Sequence, residues 1–225
     1  YYEEVIKPVG GHGIQYSLGD PIETFDKRRD AAIANNGTVM PNLDKATVTI
    51  VDVPKHPYKG TFLQAKEAAI ADATNKYTEI VKDENGKEHR VSKPQHYDNY
   101  GQKFDYTISK NSIEESVNKN QIDKSKEQNA PAGVHLAILN HLDEVIGNSI
   151  EVEEHPDYIK TNGERTSENI NKDRLVHRFV GAITIDGVLY RVKTLMLESR
   201  QADTGNKEYA YDVAKIELLP SEESS

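Results

Sequence analysis

The sequence predicts an α+β fold in which helices pack on one face of an antiparallel sheet. Two segments, 60–77 and 134–147, repeat their apolar residues with helical spacing, whereas several others alternate with a period of two. The clearest strands come last, where 175–198 has two runs of branched and aromatic residues around Asp186-Gly187. Helices followed by a terminal antiparallel meander are typical of α+β domains.

The first 45 residues predict an irregular extension with one helix. Asn36-Gly37 is a loop signal, and a helix is predicted over 23–35 because Asp20-Pro21 supplies a cap and a first residue. We therefore divide the chain into an irregular N-terminal extension (1–45), one α+β domain (46–219) and a tail (220–225).

The middle of the chain predicts short strands between helices. Residues 46–53 alternate and are followed by Pro54, which ends a strand. The segments 60–77 and 134–147 carry the apolar stripe of helices that face a core. The other predictions are a hairpin at 79–91 around Asn85-Gly86, a strand at 104–109, a helix at 110–118, a mobile polar loop at 119–131 and a short strand at 149–154.

The end of the chain predicts a flexible connection at 157–173, the hairpin at 175–198 and a last strand at 208–219. The Asp-Gly dipeptide favours a two-residue type I′ turn, which sets Ile185 opposite Val188 and fixes every later pair. One face is then mostly apolar and is expected to pack on a core. It carries His177, Phe179, Gly181, Ile183 and Ile185 opposite Val188, Tyr190, Val192, Thr194 and Met196.

The other face of the hairpin gathers three cations, Arg178, Arg191 and Lys193, in a protein of net charge −9. Residues 172–219 hold eight Lys or Arg against seven Asp or Glu, so the acidic excess lies elsewhere. A local cationic site fits a phosphate-binding pocket better than a broad surface for duplex DNA. Lys215 or Glu217 on the last strand would complete or neutralise the group. A structural sheet with solvated charges remains an open alternative.

Composition excludes several classes of protein. The chain has no Cys, which excludes disulfides and thiolate metal sites and favours a cytosolic setting. Its apolar runs are shorter than the roughly 20 residues that cross a bilayer, so no membrane association is expected. The eight histidines form no compact metal signature, and no nucleotide-binding motif is present, so we expect no metal and no cofactor. Because the chain begins at Tyr1, we expect it to come from a longer polypeptide.

Two histidines are candidates for acid–base chemistry, for which imidazole has a suitable pKa. His177 lies on the apolar face beside Thr194, where it is either a hydrogen-bonded residue at the core edge or a general acid or base. His135 opens a predicted helix, whose dipole would lower the pKa of the imidazole and favour the neutral base. The alternative interpretation is a surface residue without a catalytic role. Tyr190 has two interpretations, stacking on a base or packing.

Two segments resemble a known family: HLAILNHLDEVIGNSIEVEEHPDYIK at 135–160 and VHRFVGAITIDGVLYRVKTLMLE at 176–198. They look like the large polyvalent protein-associated domain of phage and conjugative-element proteins, and the resemblance spans roughly residues 100–219. It implies the barnase–EndoU–colicin–RelE-like nuclease fold, an RNase-toxin-like sheet covered by helices, and a metal-independent endoribonuclease. Val180 and Leu195-Met196 depart from the aromatic and β-branched residues usual in the family.

The resemblance implies transesterification by a ribose 2′-hydroxyl, with RNA (tRNA among the candidates) as substrate. It would act in the cytoplasm of a bacterial cell, beside other domains of a longer polypeptide. Under this hypothesis the catalytic residues are His135, His177 and Lys193, and the substrate-binding residues are Arg178, Arg191, Tyr190 and Thr194. The pleat places His177 and Lys193 on opposite faces, so one shared site requires a strand end or a bulge.

Two other functions stay open. The first is a non-catalytic interaction module of the same longer protein, in which the sheet is purely structural. The second is a surface or carbohydrate-binding domain, which the lack of Trp and of an exposed aromatic stripe disfavours.

Overall fold

The computed structural model describes residues 22–40, 48–100, 102–127, 130–161, 164–200 and 209–220. The α-helices are α1 (Ile22–Asn35), α2 (Phe62–Tyr77), α3 (Lys110–Ser116), α4 (Lys119–Glu127), α5 (Ala132–Ile138) and α6 (Leu142–Gly147), with a 3-10 turn at Leu139–His141. The strands are β1 (Thr38–Val39), β2 (Ile50–Asp52), β3 (Thr78–Lys82), β4 (Glu88–Ser92), β5 (Pro94–Asn99), β6 (Gln102–Thr107), β7 (Ile150–Thr161), β8 (Glu164–Ile185), β9 (Val188–Arg200) and β10 (Tyr209–Pro220).

The described residues form a mixed α+β fold around one large sheet, as the sequence predicted. Its strands follow the order β1-β7-β8-β9-β10-β6-β5. Strand β2 lies off this path and pairs with residues 182–184 of β8, past the point where the β7 pairing ends at Val180. Most pairs are antiparallel, but β10 pairs with β6 and β2 pairs with β8 in parallel. The prediction of a purely antiparallel sheet is therefore wrong at these two pairs, which join strands far apart in sequence.

The predicted hairpin is present with the predicted register. Ile185 pairs with Val188, and the pairing continues without a shift to Arg174 and Ser199. Asp186 and Gly187 have φ values of 51° and 77°, the two positive values that a type I′ turn requires. The turn therefore sets which residues share each face of β8 and β9.

The inner face of β8 and β9, defined as the face with His177 and Phe179, packs against the helices. Phe179, Ile183 and Val192 join the main hydrophobic core, to which α2 contributes Ala69 and Tyr77. At the other end of the same face, a smaller apolar cluster forms where Phe25 and Ala32 of α1 meet Leu175. Along β8, His177 lies between Leu175 and Phe179, and thus between the two apolar clusters.

Several elements differ from those that the sequence predicted. The loop predicted at 119–131 is wrong for 119–127, which form α4: Asn118 accepts a hydrogen bond from the Gln121 amide, and Ile122 is buried. The flexible connection predicted at 157–173 is wrong as well, since β7 and β8 pair beyond Pro156 as far as Thr161 and Glu164. Strands β1 and β5 were not predicted.

The helix predicted at 134–147 is interrupted near Asn140. The Asn140 carbonyl accepts a hydrogen bond from the Lys76 amine, and its side chain donates one to the Tyr58 hydroxyl. The Lys76 amine thus takes the place of a helical partner of the Asn140 carbonyl, and after the 3-10 turn the chain restarts as α6. The predicted helix at 23–35 is confirmed as α1; its cap and first residue, Asp20-Pro21, lie outside the described residues, as do Asn162-Gly163, most of the predicted tail and residues 1–21 of the extension.

Candidate functional site

A cluster of ionisable side chains surrounds His177 on the inner face. The Nδ1 atom of His177 lies 2.7 Å from a Glu151 carboxylate oxygen, and Nε2 lies 2.9 Å from a Glu198 oxygen. Arg28 of α1 donates two hydrogen bonds to Glu198, at 2.9 and 2.5 Å, and approaches Glu154 at 3.5 Å. All five side chains are buried. We call this group the inner cluster.

A β-bulge at Val152 brings both β7 carboxylates of the inner cluster to one face. Glu151 pairs with Phe179 and Glu154 pairs with His177, although residues three apart on a regular strand point to opposite faces. The register shifts between Glu151 and Glu153, so Val152 is the extra residue.

The carboxylates decide the charge of His177. Burial by itself would lower the pKa of the imidazole, but Glu151 and Glu198 outweigh burial and raise the pKa to about 10. Burial by itself would raise the pKa of the Glu198 carboxyl, but His177 and Arg28 outweigh burial and lower it. His177 is therefore an imidazolium held between two carboxylates at neutral pH.

The outer face, defined as the face with Arg178, Arg191 and Lys193, holds a second group. Arg178 donates a hydrogen bond of 2.6 Å to Glu153, which pairs with it across β7 and β8. His155 follows on the same face of β7, opposite Val176. We call Glu153, His155 and Arg178 the outer cluster.

The tautomer of His155 follows from its contacts. Nδ1 lies 2.7 Å from the Pro156 carbonyl, which can only accept, so Nδ1 carries the proton. Burial first, and Arg178 in addition, lower the pKa of His155. The imidazole is therefore neutral at pH 7 with an unprotonated Nε2. Among the residues that the structure describes, no hydrogen-bond partner reaches this buried nitrogen, and the Tyr158 ring stacks on the imidazole at 6.3 Å between centroids.

The three predicted phosphate-binding cations do share the outer face, as the hairpin register requires. Each of them pairs across β8 and β9 with an uncharged residue: Arg178 with Leu195, Lys193 with Val180, and Arg191 with Ala182. Arg191 is exposed and Lys193 partly so. The β10 register sets Glu217 opposite Lys193 and Lys215 opposite Leu195. An anion on this face would meet Lys193 and Arg191 first, since Arg178 is already paired with Glu153.

The other predicted site residues lie away from these cations. His177, Tyr190 and Thr194 are buried on the inner face, and the sheet separates them from Lys193. His135 is 2% exposed in α5 and lies 2.8 Å from the Ser125 hydroxyl of α4. Burial lowers its pKa to about 4, so it is neutral at pH 7. It lies in the middle of its seven-residue helix and is buried, so burial, and not the helix start that the sequence suggested, is the main cause of the lowered pKa.

Sequence reasoning missed the functional groups on β7. Residues 149–154 were predicted as a short strand and 157–173 as a flexible connection, whereas β7 runs from Ile150 to Thr161 and carries residues of both clusters. The sequence did hold a signal for these clusters, because ionisable residues recur in the neighbouring segments 151–155 (EVEEH) and 176–179 (VHRF). The sequence alone did not reveal the bulge, and without it the faces of Glu151 and Glu154 cannot be assigned.

No family model, no curated protein and no solved structure matches the chain. In the part of the chain that the structure describes, no helix has the length and apolar character needed to cross a membrane.

Proposed function

We propose that the protein is a metal-independent endoribonuclease of the kind that the sequence resemblance implies, with its catalytic groups on the outer face. The observation that carries the proposal is that Glu153, His155 and Arg178 lie together on the face that also carries Arg191 and Lys193. A base, a carboxylate and several cations on one sheet face are the groups that this chemistry requires.

The reaction needs a base for the ribose 2′-hydroxyl, cations for the phosphorane and an acid for the leaving 5′-oxygen. Neutral His155 offers Nε2 as the base, and Glu153 positions Arg178 beside it. Arg178 and Lys193 hold the phosphate, and the Lys193 ammonium donates the proton to the 5′-oxygen. Arg191, opposite Ala182, lies farther along the sheet from His155 and binds a neighbouring phosphate. A 2′,3′-cyclic phosphate and a free 5′-hydroxyl result.

One rearrangement is part of the proposal. Nε2 of His155 is buried, and Tyr158 stacks on the ring. The Tyr158 side chain must therefore turn aside for a ribose to reach the nitrogen. Catalytic contacts often become aligned only in the substrate complex, and the displaced phenol would then lie where it can stack on a base.

The second candidate function is a non-catalytic interaction module, and one observation favours it. Arg178 is already paired with Glu153, and the base nitrogen is enclosed, as in a cluster that holds β7 to β8. In this case the outer cluster is structural, and the exposed cations contact a partner protein.

The test is cleavage of total RNA and of tRNA in the presence of a chelator, with analysis of the products for cyclic phosphate ends. Wild-type protein is expected to cleave. His155→Gln and Lys193→Ala are each expected to slow cleavage by roughly 10²-fold or more, the usual contribution of a proton-transfer group. His96→Asn is the matched control. His96 lies on the edge strand β5, is exposed, and is paired with Asp105 of β6.

Each result decides between the candidates. Unchanged cleavage by His155→Gln would remove the outer cluster from catalysis. If His177→Gln abolishes cleavage while the protein stays folded and His155→Gln does not, the original assignment of His177 is restored. Failure of the wild-type protein to cleave any RNA favours the interaction module.

A further inference from the structure

We propose that Glu151, Glu154 and His177 form a structural binding site for one divalent transition-metal ion of the Zn²⁺ or Mn²⁺ type. This inference is independent of the proposed nuclease activity, because the three residues lie on the inner face, on the other side of the sheet from the outer cluster. It rests on the donor atoms, their geometry and the side chains that orient them.

The three residues offer one nitrogen and two oxygen donors at short range. His177 Nδ1 lies 2.7 Å from Glu151 and 4.0 Å from Glu154, and all three donor atoms fall within 4.8 Å of one another. Metal–ligand bonds of about 2.1 Å place neighbouring ligand atoms roughly 3–3.5 Å apart. A small ion therefore fits between the three donors after shifts of roughly 1–2 Å in the flexible Glu side chains.

A proton alone does not join all three donors. The hydrogen between Nδ1 and Glu151 joins two of them, whereas the Glu154 oxygen lies 4.0 Å from Nδ1, beyond hydrogen-bond distance, and is approached by Arg28 at 3.5 Å. An ion would bond to all three, so that β7 and β8 share one centre.

Side chains outside the ligand set orient the ligands as in known metal sites. The second nitrogen of His177 faces Glu198, and Arg28 fixes that carboxylate with two hydrogen bonds. Metal-bound imidazoles usually donate the other N–H to a carboxylate in this way. Gln102 of β6 similarly donates a hydrogen bond of 2.6 Å to the second oxygen of Glu151.

The donor set selects the type of ion. An imidazole with two carboxylates suits Zn²⁺, Mn²⁺ or Fe²⁺, whereas Mg²⁺ and Ca²⁺ prefer oxygen ligands alone. Because all three ligands are buried, the ion would enter before α1 packs over the site, and binding would be coupled to folding. Its role would be to join β7 and β8 beneath α1.

The experiment strips the wild-type protein with a chelator in urea, refolds it with Zn²⁺, Mn²⁺ or Mg²⁺ each added alone, and measures the bound ion by equilibrium dialysis and the stability by calorimetry. We expect one Zn²⁺ or Mn²⁺ per chain, a raised thermal unfolding temperature, and no comparable effect of Mg²⁺. Glu154→Gln removes a ligand and is expected to weaken binding by more than roughly 100-fold, and Gln102→Ala by roughly tenfold.

The matched control is His89→Gln. His89 and Asp83 form a histidine–carboxylate pair with a 2.8 Å separation, but the pair is exposed and has only two donors. This variant should bind the ion as the wild type does. Loss of binding in His89→Gln with retention in Glu154→Gln overturns the proposal, as does the absence of one tightly bound ion in the wild type.

A second measurement covers the case in which Glu154→Gln does not fold. In wild-type protein labelled with ¹⁵N in its histidines, added Zn²⁺ must shift the ring resonances of His177. A shift confined to other histidines overturns the site. The readout is separable from nuclease activity, since RNA cleavage is tested with the metal removed.

Discussion

On the inner face of β7 and β8, Glu151, Glu198 and Arg28 surround His177; on the outer face, Glu153 and Arg178 lie beside His155. The residue types are the same, yet the two imidazoles differ in charge. Carboxylates on both ring nitrogens raise the pKa of His177, whereas burial and a neighbouring Arg lower that of His155. The number of carboxylates in contact, not burial alone, decides the protonation of a histidine in this sheet.

The two faces also differ in what their charges do. The inner cluster is sealed by α1 and joins elements far apart in sequence: Arg28 and Glu198 are separated by 170 residues. The outer cluster joins neighbouring strands, and its Arg178 and Glu153 side chains remain about one third exposed, at 33% and 27%. We therefore expect inner-face substitutions to change stability and outer-face substitutions to change function.

The largest stability effect is expected for Arg28→Ala. Removal of one partner of a buried ion pair leaves an uncompensated carboxylate and typically costs about 3–5 kcal/mol. The free energy of unfolding from urea denaturation should fall by this amount. Arg29→Ala is the neighbouring control: its partners Asp26 and Asp30 are more exposed, so a loss of about 1 kcal/mol or less is expected. Equal losses of unfolding free energy in Arg28→Ala and Arg29→Ala would contradict the expected difference between the buried and the exposed ion pairs.

The next effect is the pH dependence of stability in metal-free protein. The pKa of His177 is raised above 6.5, so its contribution is complete below pH 6.5 and is lost as the pH rises towards 10. The pKa of His155 is lowered, so its protonation favours the unfolded chain and stability falls as the pH drops below 6.5. Histidine NMR titrations with urea midpoints at each pH measure both.

Variants separate the two contributions to this pH dependence. His177→Gln should flatten the alkaline loss of stability, and His155→Gln should reduce the acid loss. Part of the acid loss remains in His155→Gln, because buried His135, with a pKa of about 4, also resists protonation. An imidazole of His177 that titrates near 6.5 in the folded protein would refute the charge assigned to the inner cluster.

The smallest effect is expected at the Asp186-Gly187 turn, which sets the register of β8 and β9. Gly187 has a φ of 77°, and a side chain in this left-handed region costs about 1–2 kcal/mol. Gly187→Ala should therefore lower the free energy of unfolding by that amount. Gly147→Ala is the control, because its added Cβ would meet no atom within 4 Å and its φ is not positive. A neutral Gly187→Ala would show that pairing, and not the turn, holds the register.

Short-range signals predicted a large part of the fold. The hairpin at 175–198, its register and the opposite faces of His177 and Lys193 followed from Asp186-Gly187 and the two-residue period of strands. Helix α2 followed from its apolar stripe. These features depend on residues close together in the chain, where periodicity and turn preferences apply directly.

Features that depend on distant partners were not predictable in this way. The polar segment 157–173 has no alternating apolar pattern. It forms strands because β7 and β8 satisfy each other's backbone hydrogen bonds there. Helix α4 and the break at Asn140 likewise involve side chains of other elements: His135 contacts Ser125 of α4, and Lys76 bonds to the Asn140 carbonyl.

By itself, then, the sequence determined the α+β class, the hairpin and the cationic outer face, because local geometry fixes the alternation of side chains along a strand. Only the tertiary structure decided which acidic residues meet which histidine. The Val152 bulge placed Glu151 and Glu154 on one face and left Glu153 and His155 on the other. Helix α1 brought Arg28 to the inner cluster across more than a hundred residues of chain, a distance over which sequence patterns carry no pairing information.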